Sequence, residues 1–400
     1  MSADKQRKIP LKANWRVSSA DLLEKEARRG MDTMSQNLQQ ELSGVRREID
    51  ALDEQLLEIL NRRARCAKQV GEIKARHQGE GGDTGHGYRP EREAEVLRRL
   101  QALNQGPLPD ESVTFFFREV MSACLSLEEP VRVVFLGPVG TFSEAAAIKQ
   151  FGHAARLMPA VSIDDVFREA EAGHAEYAIL PLENSTEGAV GRTLDLLLQT
   201  PLKICGEVIV RVHQNLLSQA ANLQGIRKVY SHAQSLAQCH EWLNQHLPHA
   251  ERIAVASNAF AAQMAADDAE VAAIASQAAG ECYHLPCLCA SIEDDPNNTT
   301  RFVVLGRHDA GESGQDKTSL IMSAPNRSGS LHELLQPLAT EGVSMTRLES
   351  RPVRQGLWEY VYHVDVEGHR NTPHVASALQ QLASRAAYLK ILGSYPAAVY

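Results

Sequence analysis

The sequence predicts three consecutive regions of different fold class: all-helical over residues 39–129, α/β over 130–308, and ferredoxin-like over 317–400. A heptad pattern of apolar residues indicates the first, and strands that alternate with helices indicate the second. Beyond a Gly-rich linker at 309–316, the order βαββαβ is typical of a ferredoxin-like domain. A chain of 400 residues is too long for one compact core, which agrees with several domains.

Composition excludes several classes of partner. The net charge is −9 with no basic block, which argues against nucleic acid or an anionic membrane surface as the main partner. No apolar run approaches the ~20 residues of a membrane span, and the N-terminus lacks a signal-peptide layout. Seven scattered cysteines favour reduced thiols in a cytoplasmic protein over a disulfide framework.

The N-terminal region begins with a polar stretch, residues 1–38, that we expect to be disordered apart from a short helix near 20–29. From residue 45, apolar residues recur in alternating steps of four and three over about 30 residues, which predicts a helix of about 45 Å. Such a helix needs a partner helix to cover its apolar seam. The seam consists of Val45, Ile49, Leu52, Leu56, Ile59, Cys66, Val70 and Ile73.

Arg63 occupies the remaining slot of this seam, where a buried guanidinium is costly unless an anion or a core carboxylate meets it. Lys74 lies only about 20° further round the helix, whereas Arg46 lies about 100° away and cannot serve the same site within one chain. After a flexible break at 79–87, two more predicted helices place Glu93 and Glu128 beside the same core. Cations and carboxylates in one helical core suggest a small polyanionic ligand.

In the α/β region, polar residues follow several of the predicted strands. They include Asn184 after the strand at 178–180, and Ser231, His232 and Gln238 after the strand at 228–230. Thr300 and Arg301 stand at the mouth of the apolar run 302–305, and Thr141 lies in a loop whose Ser143 is the predicted cap of a helix. Each cluster alone is typical of caps and turns, but together they favour one polar binding cleft.

Several motifs together resemble the bifunctional chorismate mutase–prephenate dehydratases of bacterial phenylalanine synthesis. The resemblance covers residues 38–400 in the family's domain order. It rests on Gly137-Pro-Val-Gly-Thr-Phe-Ser143, Pro181-Leu-Glu-Asn-Ser-Thr-Glu-Gly188, Tyr230-Ser-His232, Thr300-Arg-Phe302 and Glu349-Ser-Arg-Pro352. It implies a helical mutase domain, a dehydratase domain with two lobes like a periplasmic binding protein, and an ACT regulatory domain, with no cofactor or metal.

For the mutase, the resemblance implies that Arg63 and Lys74 bind chorismate together with Arg46 of a second protomer, which makes a homodimer or higher oligomer obligatory. Lys74 and Glu128 would flank the ether oxygen whose negative charge grows during the rearrangement, and Glu93 would orient a substrate hydroxyl. The enterobacterial members have Gln where Glu128 stands. A carboxyl group there must be protonated to donate, so burial would have to raise its pKa. Arg89 occupies the position nearest an acidic ligand of the family, which we do not carry over.

For the dehydratase, the resemblance implies that Thr300 donates a hydrogen bond to the leaving hydroxyl of prephenate. The residues expected to line that cleft or contact the substrate are Thr141, Asn184, Ser231, His232, Gln238 and Arg301. In the ACT domain, two segments would bind the allosteric effector L-phenylalanine: Gly329, Ser330, Leu331 and His332, and Glu349, Ser350, Arg351 and Pro352.

Three alternatives stay open at the level of sequence. The chain could be a non-catalytic amino-acid or small-anion sensor, although this would leave the charges of the helical core without a purpose. It could also retain only the dehydratase activity, with a mutase lost through Glu128 or the long loop before Glu93. Finally, Cys282, His284, Cys287 and Cys289 lie close together, but without a C-x-x-C pair a zinc site is less favoured than ordinary thiols.

Overall fold

The computed structural model describes residues 19–77, 88–325, 327–352 and 360–399, with side chains from residue 39 onward except those at 74, 75 and 77. The chain forms two compact units, Met1–Cys66 and Ala67–Tyr400. The predicted Gly-rich break at 79–87 and the predicted disorder of residues 1–18 lie outside the described residues.

The heptad prediction is confirmed, because helix α1 spans Ser19–His77. The short helix expected near 20–29 lies within α1, and the expectation of disorder is wrong for residues 30–38, which are also helical. Val45, Ile49, Leu52, Leu56 and Ile59 of the seam are 50–62% exposed. The apolar stripe of this helix is therefore on the surface of the single chain.

Two further helices precede the first strand, α2 (Pro90–Leu103) and α3 (Asp110–Leu125). Pro90 occupies the first turn of α2, where its missing N–H costs no hydrogen bond. Helix α3 ends before the predicted residue 127, so Glu128 lies in the turn that follows it.

The α/β region contains two sheets with helices packed on them. The first has the strand order β2-β1-β3-β11-β5 with β4 on β3, and the second has the order β10-β6-β9-β7-β8. We predicted parallel sheets, and both are mixed: β11 runs antiparallel to both of its neighbours. The strands are β1 (Arg132–Leu136), β2 (Arg156–Ala160), β3 (Tyr177–Asn184), β4 (Gly188–Ala189), β5 (Lys203–Arg211), β6 (Asn215–Ser218), β7 (Lys228–Ser231), β8 (Glu251–Ala254), β9 (Val271–Ala275), β10 (Cys287–Cys289) and β11 (Thr299–Gly306).

The helices of this region connect the strands, and the chain enters the second sheet after β5 and returns to the first through β11. The helices are α4 (Phe142–Phe151), α5 (Ile163–Ala172), α6 (Gly191–Leu197), α7 (Ala233–Gln238), α8 (His240–His246), α9 (Asn258–Ala265) and α10 (Gln277–Cys282). Thr141, not the predicted Ser143, caps α4, since its hydroxyl accepts from Glu144 N. Ser143 is instead buried inside the helix.

The C-terminal domain has the predicted βαββαβ order, with β12 (Asp316–Ser323), α11 (Ser330–Thr340), β13 (Met345–Pro352), β14 (Tyr360–Glu367), α12 (Pro373–Arg385) and β15 (Tyr388–Pro396). Its antiparallel sheet has the order β13-β14-β12-β15. Leu320 and Met322 of β12 pack in one core with Leu334 and Leu382 of its helices, whereas Ile321 packs in the core of the first α/β sheet.

The sheet of the C-terminal domain thus packs with one face on its helices and the other on the α/β region. The backbones approach closely where Gly393 of β15 meets the carbonyl oxygen of Ile204 in β5, a contact that leaves no room for a Cβ atom. In the described part of the chain, no helix is apolar and long enough to cross a membrane.

Candidate active site

Thr300 and Asn184 are directly opposite each other on β11 and β3. The Asn184 Nδ2 amide donates to Thr300 Oγ1 at 2.9 Å and to Asn298 Oδ1 at 2.8 Å. The oxygen of the same amide accepts from Thr186 N, Thr186 Oγ1 and Glu187 N, which fixes the orientation of the amide. Asn184 is therefore a donor to Thr300.

This arrangement determines where the Thr300 proton points. A threonine hydroxyl has one proton and two lone pairs, and Asn184 already donates to one lone pair. Among the described residues the hydroxyl of Thr300 has no acceptor. It is thus positioned to donate to a ligand, and a donated hydrogen bond from Asn184 polarises the hydroxyl further.

A chain of hydrogen bonds leads from this pair into the second sheet. Gln238 Nε2 donates to Thr186 Oγ1 at 3.1 Å, and Gln214 Nε2 donates to Gln238 Oε1 at 3.1 Å and to Ser235 Oγ at 3.0 Å. Asn258 Nδ2 continues the chain to Ser235 Oγ at 2.8 Å. The two lobes are therefore bridged by side chains next to Thr300.

The lobes also meet at the loop before α4. The hydroxyl of Ser276, in the second lobe, donates to the carbonyl oxygen of Gly140 at 2.7 Å. Gly140 has φ +86°, and a Cβ atom there would lie 3.0 Å from Ala279 Cα. The next residue is Thr141, whose hydroxyl donates a hydrogen bond to Leu136 O. The predicted loop before α4 therefore also contacts the second lobe.

The predicted cleft residues Ser231 and His232 both bind Asn258. Ser231 is fully buried, and its hydroxyl lies 2.7 Å from Ile274 O and 2.9 Å from Asn258 Oδ1, two acceptors that share its one proton. His232 is exposed, and its backbone N–H donates to the same Asn258 oxygen.

The prediction that Arg301 contacts the substrate is not supported. Successive side chains of a strand point to opposite faces, so Arg301 points away from the cleft when Thr300 faces it. Its guanidinium is buried and bonded to Glu207, Glu183, Asp365 and Tyr395.

Sequence reasoning missed two amide residues of the network, Gln214 and Asn258, whereas Thr186 and Asn298 lie in the polar segments that it assigned to the cleft. Gln214 and Asn298 are both 1% exposed, and Gln214 Oε1 and Asn298 Nδ2 lack partners in the described part of the chain. An amide inside an apolar run, as at Gln214 between β5 and β6, was the available signal.

Comparisons with known proteins identify the three regions. The chain matches the family models of chorismate mutase type II over residues 45–129, prephenate dehydratase over 133–310 and the ACT domain over 318–384. A bifunctional chorismate mutase/prephenate dehydratase of Neisseria gonorrhoeae is 54% identical over 92% of this chain and 100% of its own length. The chain belongs to the bifunctional chorismate mutase/prephenate dehydratase family.

Two solved structures resemble the dehydratase and ACT part. A prephenate dehydratase of Arthrobacter aurescens in complex with L-Phe is 34% identical, with a TM-score of 0.62 over 66% of this chain and 90% of its own. A protein described as a quorum quenching acylase, GqqA, is 31% identical, with a TM-score of 0.61 over 67% of this chain and 98% of its own. One fold therefore accompanies two described activities, so the fold alone does not identify the reaction.

In the mutase domain the predicted residues lie in different surroundings. Arg46 is exposed, Arg63 is half-buried, and the side chain of Lys74 is outside the described residues. Glu93 is nearly buried and pairs with Arg118, whose Nε lies 3.0 Å from Glu93 Oε1. Burial raises the pKa of Glu93 although Arg118 opposes this. Arg118 was not predicted from the sequence.

Glu128 is exposed in the single chain. Its side chain packs against the backbone of Gly71, one turn before Lys74 on α1.

In the ACT domain, Gly329 has φ +78° and caps α11, whose first residues are Ser330, Leu331 and His332. Along β13, Arg351 is directed to the dehydratase domain, where its Nη2 lies 2.8 Å from Asp195 Oδ1. The prediction that the Arg351 side chain helps to bind phenylalanine is therefore not supported, whereas Ser350 and Pro352 on the other face are exposed.

We predict that Asn184→Asp lowers prephenate dehydration by about a hundredfold, the scale of a lost proton donor. An aspartate cannot donate to Thr300 Oγ1 and would instead accept the proton that Thr300 should offer to the substrate. Phenylpyruvate formation from prephenate measures the effect. Asn222→Asp is the matched control, because Asn222 Oδ1 only accepts from Gln224 N, which an aspartate also does. Equal rates in the two variants would contradict the assignment.

Proposed function

We propose that this chain converts chorismate to prephenate in its mutase domain and prephenate to phenylpyruvate in its dehydratase domain, under feedback inhibition by L-phenylalanine. The observation that carries the dehydratase half is the Thr300 hydroxyl, which receives a hydrogen bond from Asn184 and has its own proton available in a polar cleft. The family membership over nearly the whole chain supports both activities.

The dehydratase reaction removes a carboxylate as CO₂ and a hydroxyl as water from opposite ends of the prephenate ring, which becomes aromatic. The leaving hydroxyl needs a proton donor, and the electrons of the breaking C–C bond enter the ring. Thr300 donates a hydrogen bond to that hydroxyl, while Asn184 and the Gln238 network hold Thr300 in place. A threonine is a weak acid, so its contribution is a positioned hydrogen bond within a polar network.

The decisive experiment supplies the purified chain with chorismate, with and without phenylalanine. Phenylpyruvate that forms and is suppressed by phenylalanine supports all three parts. Prephenate that accumulates contradicts the dehydratase, and untouched chorismate contradicts the mutase. If chorismate is untouched, adding prephenate distinguishes a chain with an active dehydratase from a non-catalytic sensor.

Thr300→Ala should abolish the formation of phenylpyruvate and leave chorismate consumption unchanged, because no hydroxyl remains to donate to the leaving group. Thr300→Ser keeps the hydroxyl and should keep a measurable part of the dehydratase rate. Both activities are assayed on one preparation, so the mutase rate reports folding. Full dehydratase activity in Thr300→Ala would refute the role of this hydroxyl.

The mutase reaction is pericyclic, so the protein needs no nucleophile and only has to fold the dicarboxylate and stabilise charge on the ether oxygen. We assign Arg63 and Lys74 to the substrate carboxylates and ether oxygen, with Glu128 as the second group at that oxygen and Glu93 at a substrate hydroxyl. The contact of Glu128 with Gly71 supports its place beside Lys74.

Glu128→Gln should raise the rate of chorismate consumption by about tenfold, because an amide always has a proton to donate to the ether oxygen and places no negative charge beside it. Initial rates of chorismate consumption measure the effect, and the dehydratase rate of the same variant is the control. Equal mutase rates in the two proteins would exclude Glu128 from the reaction.

We propose that the chain works as a homodimer through α1. The seam from Val45 to Ile59 is half or more exposed, and Arg46 lies on another face of the helix from Arg63. A second α1 would cover the apolar stripe and bring its own Arg46 to the site that holds Arg63.

Co-expression of Arg46→Ala with Lys74→Ala chains under two affinity tags tests the shared site. Each variant alone should lack mutase activity, whereas random pairing should restore about a quarter, since half the dimers are mixed and one site in each is intact. Dehydratase activity of the same samples reports protein amount. If the mixture stays inactive, all the residues of one site come from one chain.

A further inference from the structure

Behind the pair that faces the cleft lies a second pair that faces the ACT domain. Glu183 and Arg301 are the chain neighbours of Asn184 and Thr300, and they are opposite each other in the same register of β3 and β11. Because side chains alternate along a strand, the second pair points to the other face of the sheet. The contacts that fix Glu183 and Arg301 therefore also fix the positions of Asn184 and Thr300.

Arg301 is held by two residues of the ACT domain, Asp365 and Tyr395, and by Glu207 and Glu183 of the dehydratase domain. Its Nη1 lies 2.6 Å from Asp365 Oδ2, its Nη2 donates to Tyr395 Oη at 2.9 Å, and its Nε lies 2.8 Å from Glu207 Oε2. Only 9% of the Arg301 side chain is exposed. Every nitrogen of the guanidinium has a partner.

Neighbouring groups keep the Asp365 carboxyl ionised in this contact. Ser319 Oγ donates to its other oxygen at 2.5 Å. Burial by itself would raise the pKa of the Asp365 carboxyl, but Arg301 and Ser319 outweigh burial and hold the pKa below its usual value. The contact is thus a buried ion pair, and the loss of one partner would leave the other charge unpaired.

Glu183 is held in the same way. Its Oε1 lies 3.2 Å from Arg301 Nη1, and its Oε2 lies 2.5 Å from Nε of Arg347 on β13. Arg347 and Asp365 are themselves register partners in the ACT sheet. Arg347 and Asp365 of the ACT domain therefore bind Glu183 and Arg301 of the dehydratase domain.

We propose that Arg347 and Asp365 of the ACT domain are positioning residues for prephenate dehydration. They fix Glu183 and Arg301 and so set the separation of Asn184 and Thr300 across β3 and β11. The inference rests on the proposed dehydratase activity. It also gives regulation a physical route, because β13 continues from Arg347 to Ser350 and Pro352, the segment expected to meet phenylalanine.

The test compares Asp365→Asn and Arg347→Gln with Lys390→Gln. Lys390 also joins the two domains, through its Nζ to the carbonyl oxygens of Leu197, Leu198 and Thr200, but it contacts neither strand of the catalytic pair. The two test variants should lower kcat for prephenate by about tenfold to a hundredfold, the cost of a small misplacement of reacting groups, with KM changed by less than about threefold. Lys390→Gln should keep the wild-type kcat.

Three further readouts separate positioning from a general loss of structure. Chorismate consumption should stay at the wild-type rate in all variants. Arg347→Lys keeps the charge and should recover most of the kcat lost in Arg347→Gln. The phenylalanine concentration for half-inhibition should rise in the two test variants and not in Lys390→Gln.

The proposal is overturned if Asp365→Asn and Arg347→Gln lower kcat no more than Lys390→Gln, or if they raise KM at unchanged kcat. Should a charge variant not fold, Tyr395→Phe removes one hydrogen bond to Arg301 and tests the same link, with a smaller fall in kcat expected. Wild-type protein without prephenate dehydration would instead refute the proposed function, so the two failures are distinguishable.

Discussion

The antiparallel insertion of β11 between β3 and β5 is the constraint on which the rest of the structure depends. This strand returns from the second lobe and joins β5 to β3 within the first sheet. Its register places Thr300 opposite Asn184. A shift by one residue would put Arg301 in the cleft and Thr300 in the ACT interface, exchanging a neutral donor for a buried cation.

The sequence allowed the domain order, the long helix and most strands to be predicted because each has a strong periodic pattern. Thr300, Asn184 and Gln238 could be predicted as cleft residues because polar side chains at strand ends are conspicuous against apolar runs. Arg301 was misplaced for a specific reason: we began the strand at Phe302, so Thr299 to Arg301 were treated as a loop. Once β11 is seen to begin at Thr299, alternation alone turns Arg301 away.

Other features depend on tertiary contacts that no local pattern encodes. The pairing of Glu93 with Arg118, and the partners of Arg301 in Glu207, Asp365 and Tyr395, join residues far apart in sequence. Strands β6 and β10 are short and lie beside amide-rich or cysteine-containing segments, so their apolar signal is weak. The direction of β11 likewise follows from where the chain leaves the second lobe.

Glu207 shows why the three domains belong in one chain. Its Oε2 binds Arg301, while its Oε1 accepts from Lys317 Nζ of the ACT domain at 2.8 Å and from Ala398 N at 3.0 Å. The same carboxylate borders a small cleft with Glu93 and Arg118 of the mutase helices. Helix α2 forms a second connection, to the linker and the C-terminal segment. Its Arg98 donates to the carbonyl oxygens of Ser313, Gln315 and Ala397.

These contacts couple the domains to different degrees. Arg98 binds backbone carbonyls of the linker and the C-terminal segment, so it anchors segments without reaching a catalytic strand. Arg301, Glu207 and Asp365 are instead buried charges next to Thr300. A small change in their geometry costs free energy, because the low local dielectric strengthens every charge pair. We therefore expect an effector that moves β13 to act on the dehydratase more directly than on the mutase, whose described helices share a small cleft with Glu207.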